Sequence, residues 1–204
     1  MTSGQNLLVA IIGNNAAGKT SLAKALGRMP GFSTYLESHE DRPYQALFSQ
    51  DPITYALPNQ IDYLLARAGQ ERRIRAGDEI GVQDGGLDQD FLLYTRLFHH
   101  KGFLDERGCD LCTRLYNTLR QDLPAPDAYI YLQAPLETLR ARLLARARAI
   151  DLETIVTLDD LPVLQKFLDE WVSRISPLTI QADRVNLRSE NYLGALAQQI
   201  EGLS

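Results

Sequence analysis

The chain has 204 residues, 45% hydrophobic and 23% charged, an ordinary balance for one compact domain with a sizeable core. Its formal net charge of −5 lacks the basic footprint that polymeric nucleic acid requires, although a local pocket on an acidic protein can still be positive. No segment approaches the roughly 20 apolar residues of a membrane helix. The N-terminal MTSGQNLLVAII has no basic stretch of the secretory kind, and Cys109 and Cys112 alone make no disulfide framework. The expectation is one cytoplasmic domain over residues 1–204, with no membrane and no nucleic-acid polymer as partner.

In chain order, apolar runs of strand length alternate with longer helical patterns, which predicts βαβ units and a parallel sheet. Leu7 to Ile12 is a near-continuous apolar run, as in a central strand buried on both faces. A helical pattern starts at Lys19 and stops at Gly27 and Pro30. Phe32 to Leu36 fits a second strand. A helix follows Pro52, with apolar positions at Ile61, Leu64 and Leu65, and runs to about Ala68. Glu79 to Val82 is the third strand, followed by helices at about Gln89 to Phe98 and Asp105 to Leu119. Ala128 to Leu132 is the fourth strand, and Pro135 opens a helix that reaches about Ala147. A helix near Asp159 to Val172 and a strand near Leu178 to Ala182 complete the alternation. The predicted fold is α/β, three-layered, with a five-stranded parallel sheet between helices.

Between the first strand and its helix lies Gly13-Asn14-Asn15-Ala16-Ala17-Gly18-Lys19-Thr20, a full match to G-x-x-x-x-G-K-[ST] in the context that motif demands. Gly13 and Gly18 permit a turn that points backbone N–H groups at phosphates, and the helix start adds its positive dipole end. Small side chains at Ala16 and Ala17 admit the ligand, Lys19 supplies a point charge, and Ser21 completes the lining. Thr20 offers a hydroxyl to Mg²⁺. These residues predict a P-loop NTPase-type fold that binds ATP. Two carboxylates end the neighbouring strands: Glu37, placed to accept a proton from an attacking hydroxyl, and Asp84, placed to hold Mg²⁺ directly or through water.

The order and spacing of further segments resemble the deoxynucleoside kinase family from the P-loop almost to the C-terminus. Asp51-Pro52 through Tyr55-Ala56-Leu57-Pro58-Asn59-Gln60 looks like the stretch leading to the family's base-binding glutamine, here Gln60. Arg67 stands where purine- and cytosine-specific members carry a base-contacting arginine. Val82 to Asp90 is similar to the family's Glu-Arg-Ser strand end with its final aspartate, Asp90. Tyr131-Leu132-Gln133-Ala134-Pro135, then Arg142, Arg146 and Arg148, looks like the fourth strand and the arginine-rich lid, at about 142–153.

The resemblance implies transfer of the ATP γ-phosphoryl to the 5′-hydroxyl of a deoxynucleoside, purine favoured, in nucleotide salvage by a homodimer. Glu37 would be the base, and Lys19, Arg142 and Arg146 would carry phosphate charge. Asp90 would orient Arg67 through a bidentate pair, and Asp151 or Glu153 would accept a bond from a sugar hydroxyl. The resemblance breaks at Asp84-Gly85-Gly86, where the family arginine is missing; Arg72, Arg73 and Arg75 are candidate substitutes. Two other readings stay open: another small-molecule or nucleotide kinase on this fold, and a non-catalytic ATP-binding subunit of kinase descent. Cys109-Asp110-Leu111-Cys112 has no second pair and reads as packing. His99-His100 reads as a helix end, and Leu164, Phe167 and Trp171 read as core.

Overall fold

A computed structural model describes residues 6–36, 42–149 and 155–203, the side chains of 146–149 excepted. Glu37, Asp151 and Glu153 lie outside the described residues, as do the side chains of Arg146 and Arg148.

Five strands form one parallel sheet: β1 (Leu8–Gly13), β2 (Phe32–Tyr35), β3 (Ile80–Asp84), β4 (Ala128–Gln133) and β5 (Leu178–Gln181), in the order β2-β3-β1-β4-β5. β1 is buried along its whole length, and successive side chains leave it on opposite faces. Val9 and Ile11 enter a core with Leu22, Leu26, Leu139, Leu193 and Ile200; Ala10 and Ile12 enter another with Phe48, Leu97, Leu164 and Trp171. The helices α1 (Lys19–Leu26), α7 (Leu136–Ala149) and α9 (Glu190–Glu201) cover the first face. On the other side lie α2 (Gln45–Gln50), α3 (Pro52–Arg75), α5 (Arg96–His100), α6 (Glu106–Asp122) and α8 (Leu161–Val172). This is the α/β architecture that the alternation of patterns predicts.

The differences from expectation are instructive. α3 continues past Ala68 to Arg75, starting at Pro52 behind the N-cap Asp51, whose side chain accepts from Thr54 N at 3.1 Å. Its buried face holds Asn59, Gln60, Arg67, Gln70 and Glu71 beside Leu64 and Ile74, so polar residues hide its period. The predicted helix from Gln89 begins earlier, as α4 (Leu87–Gln89), and passes through a π-helical turn at Asp90–Thr95 into α5. That widened turn is where Gln60 Nε2 inserts, donating to Asp90 O at 2.8 Å and Thr95 Oγ1 at 2.9 Å. α2 and α9 were not expected. α9 was legible nonetheless: Leu193, Leu196, Ala197 and Ile200 recur at one helical face and are buried. His99 and His100 do close a helix, and Cys112 packs with Leu64 and Leu119.

α3 lies close against β3 at Gly81, where a Cβ would stand 2.2 Å from Ile74 Cγ2. Gly81→Ala is therefore expected to cost about 1–3 kcal/mol in urea denaturation. Combined with Ile74→Ala it should cost less than the sum of the two single changes, because the clash disappears with the isoleucine.

Candidate active site

β1 runs between β3 and β4, and the crevice beyond the carboxyl ends of these strands is where open α/β sheets bind ligands. A cleft of about 580 Å³ opens there. Its donor side is the loop after β1. Gly18 is the N-cap of α1 and offers no side-chain cap, so the first N–H groups of the helix are left to face a ligand. Ala16 sits at φ 62°, a left-handed strain that a non-glycine residue adopts rarely and that recurs at functional loops. Lys19 Nζ donates to Gly13 O at 3.0 Å and Asn14 O at 3.1 Å, which holds its charge at the loop mouth.

The rest of the molecule fixes this loop. Asn14 is buried and donates through Nδ2 to Leu161 O and Gln165 Oε1 of α8, while its Oδ1 accepts from Asn15 N. Tyr94 of the π turn donates to Asn15 Oδ1 at 2.6 Å. Gln89 Oε1 accepts from Gly13 N at 3.0 Å. Arg142 reaches back from α7, donating to Ala17 O at 3.3 Å and Ala182 O at 2.8 Å, and lines the cleft.

Thr20 and Asp84 converge: the Thr20 hydroxyl, in the first turn of α1, donates to Asp84 Oδ2 at the end of β3. An oxygen pair of this kind, with phosphate oxygens and water, fits Mg²⁺, which takes few protein ligands. The two residues would hold the ion, and it would supply positive charge to the bound phosphates.

On the acceptor side, Arg67 is 3% exposed and donates through Nε to Asp90 Oδ2 at 2.7 Å, the partnership that the resemblance implies. Nη1 donates to Gln70 Oε1 at 3.1 Å. Gln70 also takes a bond from Gln83 Nε2 at 2.6 Å and gives one to Leu36 O at 2.9 Å. Both Arg67 and Asp90 line the cleft; Gln60 is buried beside it, engaged with the π turn, and is not among the lining residues. The arginine substitutes fail. Arg75 binds Asn6 O, Asp127 and Ala125 O away from the cleft, and neither Arg72 nor Arg73 lines it, because α3 carries all three past its far end. The lining also includes Lys24, Leu36, Gln89 and Tyr94, which sequence reasoning missed. Lys24 follows Thr20 by one helical turn, a spacing that could have found it.

Behind the acceptor side, Arg120 of α6 joins two buried carboxylates, Glu71 at 2.6 and 3.0 Å and Asp88 at 2.8 Å. Burial raises the Glu71 carboxyl above its ordinary value, opposed by the Arg120 bonds. Tyr116 and Tyr129 both donate to Asp88; burial, then the charge of Asp88, pushes their phenols far above the usual range and keeps them protonated. This cluster fixes the start of the helix that carries Gln89 and Asp90.

A strand, a phosphate loop on a helix N-terminus, a hydroxyl–carboxylate pair and a cationic cleft define a P-loop phosphotransferase. The family model described as deoxynucleoside kinase matches residues 9–202, and the chain belongs to that family. Over 168 residues it is 33% identical to the deoxyadenosine kinase of Dictyostelium discoideum, covering 82% of this chain and 67% of that one. Over 202 residues it is 25% identical to the deoxyadenosine/deoxycytidine kinase of Bacillus subtilis, covering 96% and 92%. In fold it matches the deoxyadenosine kinase from M. mycoides with dCMP and dCDP bound, at TM-score 0.78 and 20% identity, over 96% of this chain and 100% of that one.

Asp90→Ala removes a partner of a buried cation and is expected to lower stability by about 3 kcal/mol in chemical denaturation. Adding Arg67→Met should recover part of the loss, since the stranded charge goes with it.

Proposed function

We propose that this protein transfers the γ-phosphoryl group of Mg·ATP to the 5′-hydroxyl of a deoxynucleoside, with deoxyadenosine or deoxyguanosine favoured, in nucleotide salvage. The observation that carries the reading is one cleft holding both halves of such a reaction. The loop 13–20 with Lys19, Thr20, Asp84 and Arg142 suits a triphosphate; Arg67, held by Asp90, suits the edge of a base. Asp90 fixes which guanidinium donors remain for the base, and an acceptor-rich purine edge is their natural partner. Glu37 follows Leu36, which lines the cleft, and it is the general base in this reading. Arg146 and Arg148, further along α7 than Arg142, add charge to the phosphates from the lid, and Asp151 or Glu153 holds the sugar.

A homodimer in the cytoplasm, each copy one domain, completes the proposal. Its support is apolar surface on adjoining helices: Leu65 of α3 is 49% exposed and Leu111 of α6 is 37% exposed.

The test is ATP consumption with Mg²⁺ against the four deoxynucleosides, their ribose counterparts and the monophosphates. A purine deoxynucleoside is expected to stimulate best and to yield its 5′-monophosphate. Glu37→Gln is expected to lower kcat by about 100-fold or more with ATP binding retained. Turnover with a monophosphate alone would point to a nucleotide kinase, and ATP binding without turnover to a silent subunit.

A further inference from the structure

Gly85 follows the strand-end carboxylate Asp84 at φ 77°, where any side chain would be strained. Its Cα borders a hollow in the cleft: a Cβ built there would lie 3.5 Å from Arg67 Nη2 and 3.5 Å from Gln89 Nε2. Gln89 is 2% exposed, and it lines the cleft. Its orientation is forced. Gly13 N–H must meet an oxygen, so Oε1 faces the loop at 3.0 Å and the amide nitrogen turns the other way, toward the hollow. Nε2 has no hydrogen-bond partner among the described residues, so its N–H groups are left for an acceptor in the cleft.

Gln89 thus spans the two halves of the site. Its oxygen touches the first glycine of the phosphate loop, and its free donors face the space beside Asp84 and Arg67. In the kinase reading the donor lies on the phosphate loop and the acceptor beside Arg67, and Gln89 stands between the two, bonded to Gly13 and close to the Gly85 hollow. We propose that Gln89 is a catalytic residue, its Nε2 donating to a non-bridging oxygen of the phosphoryl group in transfer, in the space that Gly85 leaves open. This rests on the kinase reading above. In the step, the acceptor hydroxyl oxygen bonds to the γ-phosphorus and the bond from that phosphorus to the β–γ bridging oxygen breaks. The electron pair leaves with ADP, and the hydroxyl proton passes to Glu37. Charge on the equatorial oxygens is met by Lys19, Arg142 and the fixed amide. Because the amide is held before the substrate arrives, it needs no reorganisation to act.

The test compares the full-length parent with Gln89→Leu and Gln89→Glu, using Mg·ATP and deoxyadenosine or whichever deoxynucleoside the parent takes best. Gln89→Leu is expected to lower kcat by roughly 10–100-fold, with both KM values within about threefold of the parent. Gln89→Glu keeps an oxygen for Gly13 and is expected to fold even if the leucine variant does not. It has no donor when ionised, so its kcat is expected to be low at pH 8. It should then rise relative to the parent as the pH falls and the carboxyl gains an O–H. A kcat within twofold of the parent in both variants would overturn the proposal. So would a raised KM for ATP with kcat unchanged, since that is the signature of a brace on Gly13 and nothing more. A parent that turns over no deoxynucleoside would sink the kinase reading itself, and this inference with it.

Discussion

Arginine does not lose its proton inside a protein, so a guanidinium buried as deeply as Arg67 must be surrounded by acceptors. Asp90 meets one nitrogen and Gln70 another. Gln70 is in turn tied to the Leu36 carbonyl beyond β2 and to Gln83 of β3. Satisfying one cation therefore draws together α3, the ends of β2 and β3, and the helix that starts after Gly86. The acceptor half of the cleft is the shape of that convergence, and its buried face on α3 is polar for this reason.

The phosphate loop is joined to that half by polar contacts. Gln89 reaches Gly13, Tyr94 reaches Asn15, and Asn14 is bonded to the start of α8. Arg120, shared between Glu71 and Asp88, holds the same helix from behind. Phosphoryl transfer depends chiefly on positioning and fixed charge, and misplacement of about 1 Å can cost two orders of magnitude in rate. A site assembled from hydrogen bonds of fixed direction meets that demand better than one held by apolar contacts, which are not directional.

Much of the fold was legible because its signals are local. The all-apolar run at Leu8 to Ile12 needs burial on both faces, and a parallel sheet with helices above and below supplies it. All five strands stand within a few residues of their apolar runs. α9 carried the same kind of signal at Leu193, Leu196, Ala197 and Ile200. The end of α3 did not, because Gln70 and Glu71 occupy buried positions where a period count looks for leucine. The π turn at Asp90–Thr95 has no sequence mark, since it exists to admit Gln60 from another helix.

The sequence by itself determined the phosphate loop, the Thr20–Asp84 meeting and the Arg67–Asp90 pair. The first is a continuous motif, the second joins a motif hydroxyl to a strand-end carboxylate, and the third is a charge that must find its opposite. Only the tertiary structure decided that the Gln60 amide nitrogen donates to the π turn beside the cleft, that Arg75 pairs with Asp127, and that Gln89 faces the hollow at Gly85. The reason is physical. A glutamine amide can be satisfied almost anywhere, so its role is set by which atoms the fold brings within 3 Å of it, and spacing along the chain carries no record of that.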